Sequence, residues 1–446
     1  MDDDLLFRRD FYRQVLDDGF LQADDPRYVP LAESGARHDP VDRLARDIEW
    51  SASNTSVQLF SGFRGSGKTT DLLRLRDRLR ASGYVVLYID LERWLNVNLP
   101  QDITTFLLAT VAGIEGAGRD KPGDPNDPVP APLAGRGGLG SGPADRWYDR
   151  IRQLLAASAE TAKVGLHLGP LNLEADIRAG SPSLARQIRA AVNDSIGTLK
   201  EEAHAHLGRL RAELRAELPP APGVVVLVDS LDHGDSRLAF AELMASIQEL
   251  FERHLDVLTF PGFHTVYTVP PYLKFLTTGA TYVRMLTTLK VHDEATSEPS
   301  GPGVEALVEL VARRGEWPRL LGSRPVLERL IGLSGGHLRE LLKLLAEILA
   351  ADYEGPLPMP EAVVEAAVHR VRNAHLPLPD DQRAWLRTVA DTHQVALPSS
   401  ADWVSLAALL DRHLVLGYVN GSEWYDVLPL VRPALGLDDL WPPATT

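Results

Sequence analysis

The sequence predicts an α/β protein built on a parallel β-sheet. Two segments, Tyr84–Asp90 and Val224–Val228, are continuously apolar and rich in β-branched residues, which is typical of strands covered on both faces. Shorter apolar runs at Ser56–Ser61, Thr265–Thr268 and Met285–Val291 predict three more strands. Helical stretches separate these runs along the chain, and the alternation of strand and helix favours a parallel sheet flanked by helices.

The helices of this region follow from apolar residues at helical spacing. We predict helices over 41–50, Thr69–Ser82 and 237–254, and Gly83 stands where a helix-ending glycine belongs. A long insertion at 113–220 interrupts the pattern. Its first part, 113–143, contains nine glycines and six prolines, so we predict a mobile loop or linker there. The rest of the insertion predicts a helix near 144–160, a β-hairpin within Val164–Ile177 and one long helix, or two, over 183–217.

After residue 303 the pattern becomes helical. We predict a bundle of helices over 303–314, 324–333 and 335–352, a break at three prolines, and a further helix near 361–374. Two more helices, near 380–391 and 402–412, precede the apolar runs Leu414–Val419 and Trp424–Val427. Asn420-Gly421 stands between those runs and is a strong hairpin signal. Two helices followed by a hairpin predict a winged-helix-like domain.

The composition is that of a globular protein, and it excludes several chemistries. The 446 residues include 46 basic and 61 acidic side chains, for a net charge of −15, and no cysteine. Disulfides, cysteine-ligated zinc, iron–sulfur clusters and thiol nucleophiles are therefore excluded. No apolar run is long enough to span a membrane, and the acidic start, Met1–Phe11, predicts neither a secretory signal nor a transit peptide. We expect a cytoplasmic protein that does not coat nucleic acid non-specifically.

One motif carries specific chemistry. The segment Gly62-Phe-Arg-Gly-Ser-Gly67-Lys68-Thr69 fits the phosphate-binding pattern GxxxxGK[ST], with a predicted strand before it and a predicted helix after it. The glycines let the backbone curl around a phosphate, Lys68 brings a charge to the β- and γ-phosphates, and the Thr69 hydroxyl is a ligand for Mg²⁺. Those flanking elements disfavour the competing interpretation, an ordinary glycine turn. The candidate nucleotide-binding residues are Gly62, Arg64, Gly65, Ser66, Gly67, Lys68, Thr69 and Thr70, of which Arg64 either contacts phosphate or faces solvent.

A second candidate group of residues lies at the end of the strand Val224–Val228. Asp229 follows this strand directly and is a candidate to hold Mg²⁺ through water. Asp232, one turn further on, is a candidate to polarise the attacking water. The alternatives are that Asp229 caps the next helix and that Asp232 is a solvated loop residue.

These two motifs resemble those of the P-loop ATPases whose sheet places a further strand between the Lys68 strand and the Asp229 strand. The helical bundle and the winged-helix-like domain resemble the AAA+ and STAND branches, most of all replication-initiator AAA+ proteins and STAND signalling ATPases. The resemblance covers roughly residues 28–437, although only the two Walker motifs are highly specific. It implies ATP and Mg²⁺ as cofactors and Mg²⁺-dependent ATP hydrolysis, and the absence of an N-K-x-D motif favours adenine over guanine.

The resemblance also implies further site residues. Thr268 ends the strand after Asp229, where the family senses the γ-phosphate, although a plain strand threonine is an equal alternative. Arg339 matches the basic residue at the start of a lid helix, a second sensor, against the alternative of a surface arginine. The segment Tyr28-Val29-Pro30 resembles the one that cradles adenine, and a simple turn explains it equally well.

The sequence departs from the family pattern in two respects. The interval from Lys68 to Asp229 is 161 residues, which is longer than this fold requires because of the insertion at 113–220. No clear arginine finger stands out, and a surface position is favoured for each arginine in a plausible place: Arg284, Arg313, Arg314 and Arg319.

The resemblance implies four regions. An N-terminal helical segment on the adenine side occupies 1–55. The P-loop ATPase core with its insertion occupies 56–300, a helical lid 301–357 and the winged-helix-like domain 358–446.

The first functional hypothesis is an ATP-hydrolysing molecular switch. Lys68, Thr268 and Arg339 would close the lid on ATP, and hydrolysis through Asp229 would reopen it. The insertion and the C-terminal domain would pass this state to a protein partner. Assembly into a homo-oligomer is a further possibility. STAND ATPases often serve in bacterial defence or signalling, so the resemblance implies a role of that kind, such as antiviral defence.

Two other hypotheses compete with the switch. A DNA-dependent AAA+ ATPase of the initiator or loader type needs a basic surface, and residues 361–446 carry six arginines and no lysine against eleven acidic residues. A domain of that charge favours docking to protein. Six arginines that can line a helix face would favour DNA: Arg178, Arg186, Arg189, Arg209, Arg211 and Arg215. The third hypothesis is a scaffold that binds nucleotide without turnover.

Overall fold

The computed structural model describes most of the chain. The described residues are 3–16, 21, 25–32, 34–35, 37–119, 147–153, 196–217, 221–231, 240–277, 282–294, 301–395 and 402–442. The predictions for 120–143, for the hairpin within Val164–Ile177, for 183–195 and for Asp232 lie outside these residues.

Five strands form one sheet: β1 (Ser56–Gly62), β2 (Val85–Asp90), β3 (Val224–Asp229), β4 (Phe263–Val269) and β5 (Val283–Leu286). Their order across the sheet is β2-β3-β4-β1-β5. The pairs β2–β3, β3–β4 and β4–β1 are all parallel. The strand that lies between β1 and β3 is therefore β4, as the resemblance implies. The predicted α/β fold with a P-loop sheet is confirmed.

The sheet is covered on both faces. Every residue of β3 and of β4 is buried, which explains why β3 is apolar throughout Val224–Val228 rather than alternating. The rings of Phe106, Phe251 and Tyr267 pack together beside the sheet, with centroids 5.5 to 6.3 Å apart. This ring cluster is the centre of a large apolar core.

The helices that precede β5 along the chain are α1 (Asp3–Leu16), α2 (Pro40–Glu49), α3 (Lys68–Ala81), α4 (Ile103–Arg119), α5 (Ile196–Glu217), α6 (Phe240–Arg253) and the short α7 (Leu273–Leu276). The helices predicted over 41–50, Thr69–Ser82 and 237–254 correspond to α2, α3 and α6. Residues 147–153 are helical as well. After α3, Gly83 has a φ of +86°, the conformation of a helix-ending glycine.

The C-terminal part is helical and ends in a hairpin. Its helices are α8 (Gly301–Ala312), α9 (Trp317–Leu321), α10 (Arg324–Leu333), α11 (Leu338–Leu349), α12 (Glu361–Ala374), α13 (Asp380–Thr392) and α14 (Trp403–Asp411). The hairpin consists of β6 (Val415–Asn420) and β7 (Ser422–Val427), which pair antiparallel. The predicted order of two helices and a hairpin is present. None of the helices that the structure describes combines the length and the apolar character needed to cross a lipid bilayer.

The loop predicted at 113–143 is wrong over 113–119, because α4 continues to Arg119. The glycines there face a bulky neighbour rather than breaking the helix. A Cβ on Gly116 would lie 2.6 Å from a ring carbon of Trp94, and one on Gly113 would lie 2.7 Å from Ile89 Cγ2. Glycine in this helix therefore allows close packing.

Two predicted boundaries also need correction. The strand predicted over Met285–Val291 ends at Leu286, because the chain then turns away and Thr288 donates its N–H to the Gly417 carbonyl at 2.9 Å. The helix predicted over 335–352 begins only at Leu338. Gly335 and Gly336 precede it with φ values of +60° and +80°, which are incompatible with a right-handed helix.

Residue contacts divide the chain into two compact units. The first, the P-loop–lid unit, comprises residues 1–40, 62–71 and 285–446. The second, the sheet unit, comprises residues 41–61 and 72–284. The two units are described separately below.

Candidate functional site

The predicted phosphate-binding loop has the backbone of a tight turn that leads into a helix. Gly65 and Gly67 have φ values of +81° and +95°, a region that residues with a Cβ rarely adopt. The Ser66 N–H donates to the Phe63 carbonyl at 3.0 Å and closes the turn. Because α3 begins at Lys68, the backbone amides of its first turn and the positive end of its dipole follow the loop directly. The local geometry suits an anion.

Lys68 folds back over this loop. Only 5% of the residue is exposed, and its Nζ donates to the carbonyls of Gly62 at 2.9 Å and Phe63 at 2.8 Å. The charge is thus held at the loop, where a P-loop lysine meets phosphate oxygens. Thr69 and Thr70 follow it on the first turn of α3 and are partly buried, and so is Arg64 within the loop.

Arg37 is a residue at the loop that the sequence analysis missed. Its Nη1 donates to the Ser66 carbonyl at 3.1 Å, and its Nη2 pairs with Asp71 at 2.8 Å. The side chains of Arg37 and Asp71 are only 5% and 2% exposed, so the pair is desolvated and geometrically demanding. It ties the N-terminal segment to the P-loop. No local motif marks Arg37, because its partners lie 29 and 34 residues away.

Arg339 lies against the P-loop. It is the second residue of α11, as predicted for a basic residue at the start of a lid helix. A Cβ placed on Gly65 would come within 2.7 Å of both Cβ and Nε of Arg339, and one on Gly67 would lie 3.9 Å from Leu338 Cδ1. Glycine at position 65 therefore allows the arginine to approach. The P-loop–lid unit brings together Lys68 and Arg339, two cations suited to one polyphosphate.

The segment Tyr28-Val29-Pro30 belongs to the same unit. Val29 is buried, whereas Tyr28 and Pro30 are partly buried. The Tyr28 carbonyl accepts a hydrogen bond from Arg313 Nη1. This contact anchors the segment, while its suggested role at adenine stays a prediction.

The arginines considered as fingers have partners among the described residues. Arg313 pairs with Glu309, and Arg314 Nη1 donates to the Arg27 carbonyl at 3.4 Å. Arg319 pairs with Asp3 and Asp4. In the sheet unit, Arg284 pairs with Asp47 and lies over the Tyr282 ring, 5.0 Å from its centroid.

Asp229 ends β3 in the sheet unit and is 1% exposed. Its Oδ2 accepts a hydrogen bond from the Tyr88 hydroxyl at 2.8 Å, and its Oδ1 accepts one from the Ser230 N–H at 2.9 Å. Burial and the nearby Asp229 carboxylate raise the pKa of Tyr88, so its hydroxyl stays protonated and donates. The sequence analysis missed Tyr88, because its role depends on the pairing of β2 with β3. A carboxylate oriented at a strand end is suited to Mg²⁺ or its water ligands.

Thr268 lies on β4, next to Phe60 of β1 in the register of the sheet. It is fully buried, and its Oγ1 has no hydrogen-bond partner within the described part of the chain. Tyr267 pairs with Val228, so Thr268 stands at the level of Asp229 on the neighbouring strand. An unpaired hydroxyl at this edge is consistent with a sensor of a polar ligand, which remains a prediction.

The sheet order and the glycine-rich loop define an α/β protein with a P-loop. No protein-family model matches the sequence, and no curated protein is significantly similar to it. Among solved structures, the Aeropyrum pernix ORC2 protein aligns with 95% of this chain and 97% of its own, at 12% identity and a TM-score of 0.38. The Walker-type ATPase PABY2304 of Pyrococcus abyssi aligns with 90% and 98%, at 14% identity and a TM-score of 0.32. These scores are low, so the fold assignment rests on the sheet and the loop.

Proposed function

We propose that this protein is an ATP-binding and ATP-hydrolysing switch of the AAA+/STAND type. The observation that supports this most is the placement of Arg339 against Gly65, beside a loop that already holds Lys68. A phosphate chain bound by the loop would meet one cation from the P-loop and one from the lid helix. The position of α11 would then depend on the nucleotide that is bound.

The proposed chemistry assigns a role to each candidate residue. Lys68 and the loop amides bind the phosphates, and Thr69 supplies a hydroxyl to Mg²⁺. Asp229, oriented by Tyr88, supplies the carboxylate for Mg²⁺ or its waters. Mg²⁺ would neutralise charge on the transferring phosphoryl group. Asp232 is proposed to polarise water, and Thr268 to sense the γ-phosphate.

The output of the switch is proposed to be a protein interaction. The insertion at 113–220 and the C-terminal helices with their hairpin are the surfaces we assign to it, in a system such as bacterial defence or signalling. A change in self-assembly is one form that this output can take.

Three substitutions and one control test the nucleotide chemistry. Lys68→Ala should abolish ATP binding measured by calorimetry, whereas Lys290→Ala, a lysine paired with Asp293, should leave it unchanged. Asp229→Asn should keep ATP binding and lose hydrolysis, and Asp232→Asn should do the same. Normal ATP binding by Lys68→Ala would refute the site. Undiminished turnover in both aspartate variants would refute the assignment of the carboxylates.

The DNA-dependent ATPase is the second candidate, and the order α13, α14, hairpin favours it because winged helices bind DNA in many proteins. The charge of helix α5 disfavours DNA binding. Arg209 and Arg215 are exposed, but α5 also carries four glutamates against its four basic residues, and it is neutral overall. The remaining arginines proposed for a basic face, Arg178, Arg186 and Arg189, lie outside the described residues.

A further inference from the structure

A buried polar cluster lies at the start of α11, directly after the residues that contact the P-loop. It consists of His337, Glu340, His375 and His413, and we refer to it as the lid-base cluster. Glu340 is fully buried, His337 is 1% exposed, and the other two are below 9%. Ionisable groups are rarely buried together unless they are paired, so this cluster has a specific role.

Glu340 is the centre of the cluster. Its Oε2 accepts a hydrogen bond from His375 Nε2 at 3.1 Å, and its Oε1 pairs with Lys343 Nζ at 2.7 Å. His413 Nδ1 lies 3.9 Å from Oε1. Burial alone would raise the pKa of Glu340, but the interactions with His375, His413, Lys343 and His337 together outweigh burial and lower it. The carboxylate is therefore ionised and holds groups from three directions.

The cluster continues into the P-loop through aromatic rings. His337 and His413 stack with their centroids 4.4 Å apart and their planes at 25°. Phe63 of the P-loop meets both rings edge-on, each at 6.3 Å, and its carbonyl is one of the two that accept from Lys68. A movement of the loop at Phe63 would therefore change its ring contacts with both His337 and His413.

The other side of the cluster is tied to the C-terminal elements. His413 precedes β6 in a left-handed conformation with a φ of +59°. His375 caps the C-terminus of α12, and its carbonyl accepts from Arg412 at 2.7 Å. The Tyr418 hydroxyl of β6 donates to the Gly335 carbonyl at 2.7 Å, just before α11. The N-terminus of the lid helix is thus fastened to the hairpin and to α12.

A metal ion is a competing explanation, since one ligand atom from each of His337, Glu340 and His413 lies within 4.8 Å of the others. An ion bound by both imidazoles has to lie in the plane of each ring, however, whereas the stacked rings place their two planes side by side at only 25°. The Nδ1 atom of His337 already accepts the Glu340 N–H at 3.4 Å. Both oxygens of Glu340 already have partners. The geometry favours a hydrogen-bonded anchor.

We propose that Glu340 is a positioning residue for Arg339, which it holds at the P-loop by anchoring the first turn of α11 to His375 and His413. The inference rests on the proposed function, in which Arg339 senses the phosphate chain. Loss of the anchor would let the first turn of α11 move, and the arginine beside Glu340 would lose its fixed approach to Gly65. The effect should fall on ATP, which carries the γ-phosphate, more than on ADP.

The first experiment compares nucleotide affinities. Glu340→Gln keeps the size of the side chain and removes its charge, and the folded state is checked by circular dichroism and thermal unfolding. We expect ATP affinity to fall about tenfold, the scale of one charged hydrogen-bonded contact, with ADP affinity changed less than about twofold. His413→Asn should shift the ratio of ATP to ADP affinity in the same direction. Asparagine is chosen because it tolerates the left-handed backbone at this position.

The matched control is Asp426→Asn. Asp426 is also a buried acid of the P-loop–lid unit, beside His292 at 3.4 Å and Arg432 at 3.3 Å. Its loss should lower stability and leave the ratio of ATP to ADP affinity unchanged. An equal shift of that ratio in Asp426→Asn would mean that Glu340 has only a structural role.

A double-mutant cycle separates the inference from the proposed function. If Glu340 acts through Arg339, the variant Arg339→Ala/Glu340→Gln should bind ATP as weakly as Arg339→Ala alone. Additive losses, or an unchanged affinity in Glu340→Gln while Arg339→Ala is weak, would overturn the inference. An unchanged affinity in Arg339→Ala would instead overturn the sensor of the proposed function. About one zinc ion per purified chain, lost in His413→Asn, would also overturn the anchor.

Discussion

The hydroxyl of Tyr88 holds one oxygen of Asp229 at 2.8 Å, and the Ser230 amide holds the other. A carboxylate with both oxygens oriented needs no rearrangement when a hydrated cation arrives. Outer partners of this kind fix the direction of a metal-binding group and tune its charge. Tyr88 is therefore as much part of the site as Asp229.

Removing that hydroxyl gives a direct test at the residue scale. In Tyr88→Phe we expect ATP turnover to fall about tenfold, because outer-shell losses at metal sites commonly cost one to two powers of ten. ATP affinity without Mg²⁺ should stay within about twofold, since the loop and Lys68 are untouched. Steady-state hydrolysis and calorimetry measure the two quantities.

Tyr84→Phe is the matched control. Tyr84 directly precedes β2 and meets His264 edge-on at 6.2 Å, so its variant should retain turnover. Equal losses in both tyrosine variants would indicate general damage to the sheet. Full ATP turnover in Tyr88→Phe would show that hydrolysis does not depend on the orientation of Asp229 by Tyr88.

The site residues differ in how far the sequence alone could identify them. Lys68 and Thr69 stand in a local motif whose spacing is set by the shape of a phosphate, so the sequence alone is enough to predict them. Asp229 required only a strand end and a motif elsewhere in the chain. Tyr88 and Arg37 could not be identified, because Tyr88 contacts a residue 141 positions away and Arg37 one that is 34 positions away. Such pairings exist only once the strands and segments are assembled.

Among the secondary-structure elements, α4 shows why a prediction from glycine content was wrong over residues 113–119. Glycine disfavours a helix by about 1 kcal/mol relative to alanine, so a glycine-rich stretch predicts a loop. In α4 the gain from packing outweighs this propensity, because Gly116 faces the Trp94 ring with no room for a methyl group. The strands and the later helices were predictable because their apolar spacing agrees with their tertiary environment.

Two glycine substitutions distinguish packing from propensity. Gly208 lies in α5, where a Cβ would meet nothing within 4 Å. We expect Gly208→Ala to raise the free energy of unfolding by about 0.5 to 1 kcal/mol through helix propensity and a less flexible unfolded chain. Gly116→Ala should lower it by about 1 to 3 kcal/mol, because the methyl group overpacks against Trp94. Urea titrations of both variants measure these changes, and stabilisation by Gly116→Ala would contradict the packing.

The lid-base cluster makes the attachment of α11 sensitive to pH. Burial lowers the pKa of His413 to about 4, although Glu340 opposes this, and burial and His413 lower the pKa of His337 well below its usual value. Arg339 and Lys343 add positive charge that disfavours protonation of both rings. The unfolded chain therefore binds more protons than the folded one between about pH 6.5 and the lowered values.

The sign of the stability change follows from that difference. Stability from a neutral buried histidine is complete above about pH 6.5 and is lost as the pH falls. Between pH 6.5 and 4.5 we expect a loss of about 2 kcal/mol from His413, and His337 should add to this loss in the same direction. Glu340 retains its charge in this range because its pKa is lowered. Urea unfolding at several pH values measures the slope.

His413→Asn should flatten this pH dependence, whereas His369→Gln should leave it unchanged, because His369 is exposed on α12. An equal slope in His413→Asn and the unmodified protein would contradict a neutral buried His413.

The whole molecule carries a net charge of −15, and residues 361–446 carry −5. DNA binding depends on neutralising phosphates with clustered lysine and arginine, and its salt dependence reports how many phosphates are contacted. The described C-terminal arginines are largely engaged in holding the fold: Arg372, Arg383 and Arg387 donate to backbone carbonyls of residues 430, 434 and 435. This net negative charge disfavours a nucleic acid as the partner and agrees with the proposed protein partner.

This charge balance leads to the prediction that separates a switch from a DNA-dependent motor. With Mg²⁺ and ATP, turnover of the purified protein should change less than about twofold when duplex DNA is added near physiological salt, because an acidic chain gains little by releasing counterions. Light scattering should give different masses with ATP and with ADP, since in the proposed switch the nucleotide sets the position of α11 and of the elements fastened to it. Asp229→Asn, which holds ATP without turnover, should stay in the ATP-dependent assembly, whereas Lys68→Ala should not form it. Turnover that rises with DNA, and that falls again as salt is raised, would instead assign the C-terminal helices and hairpin to DNA.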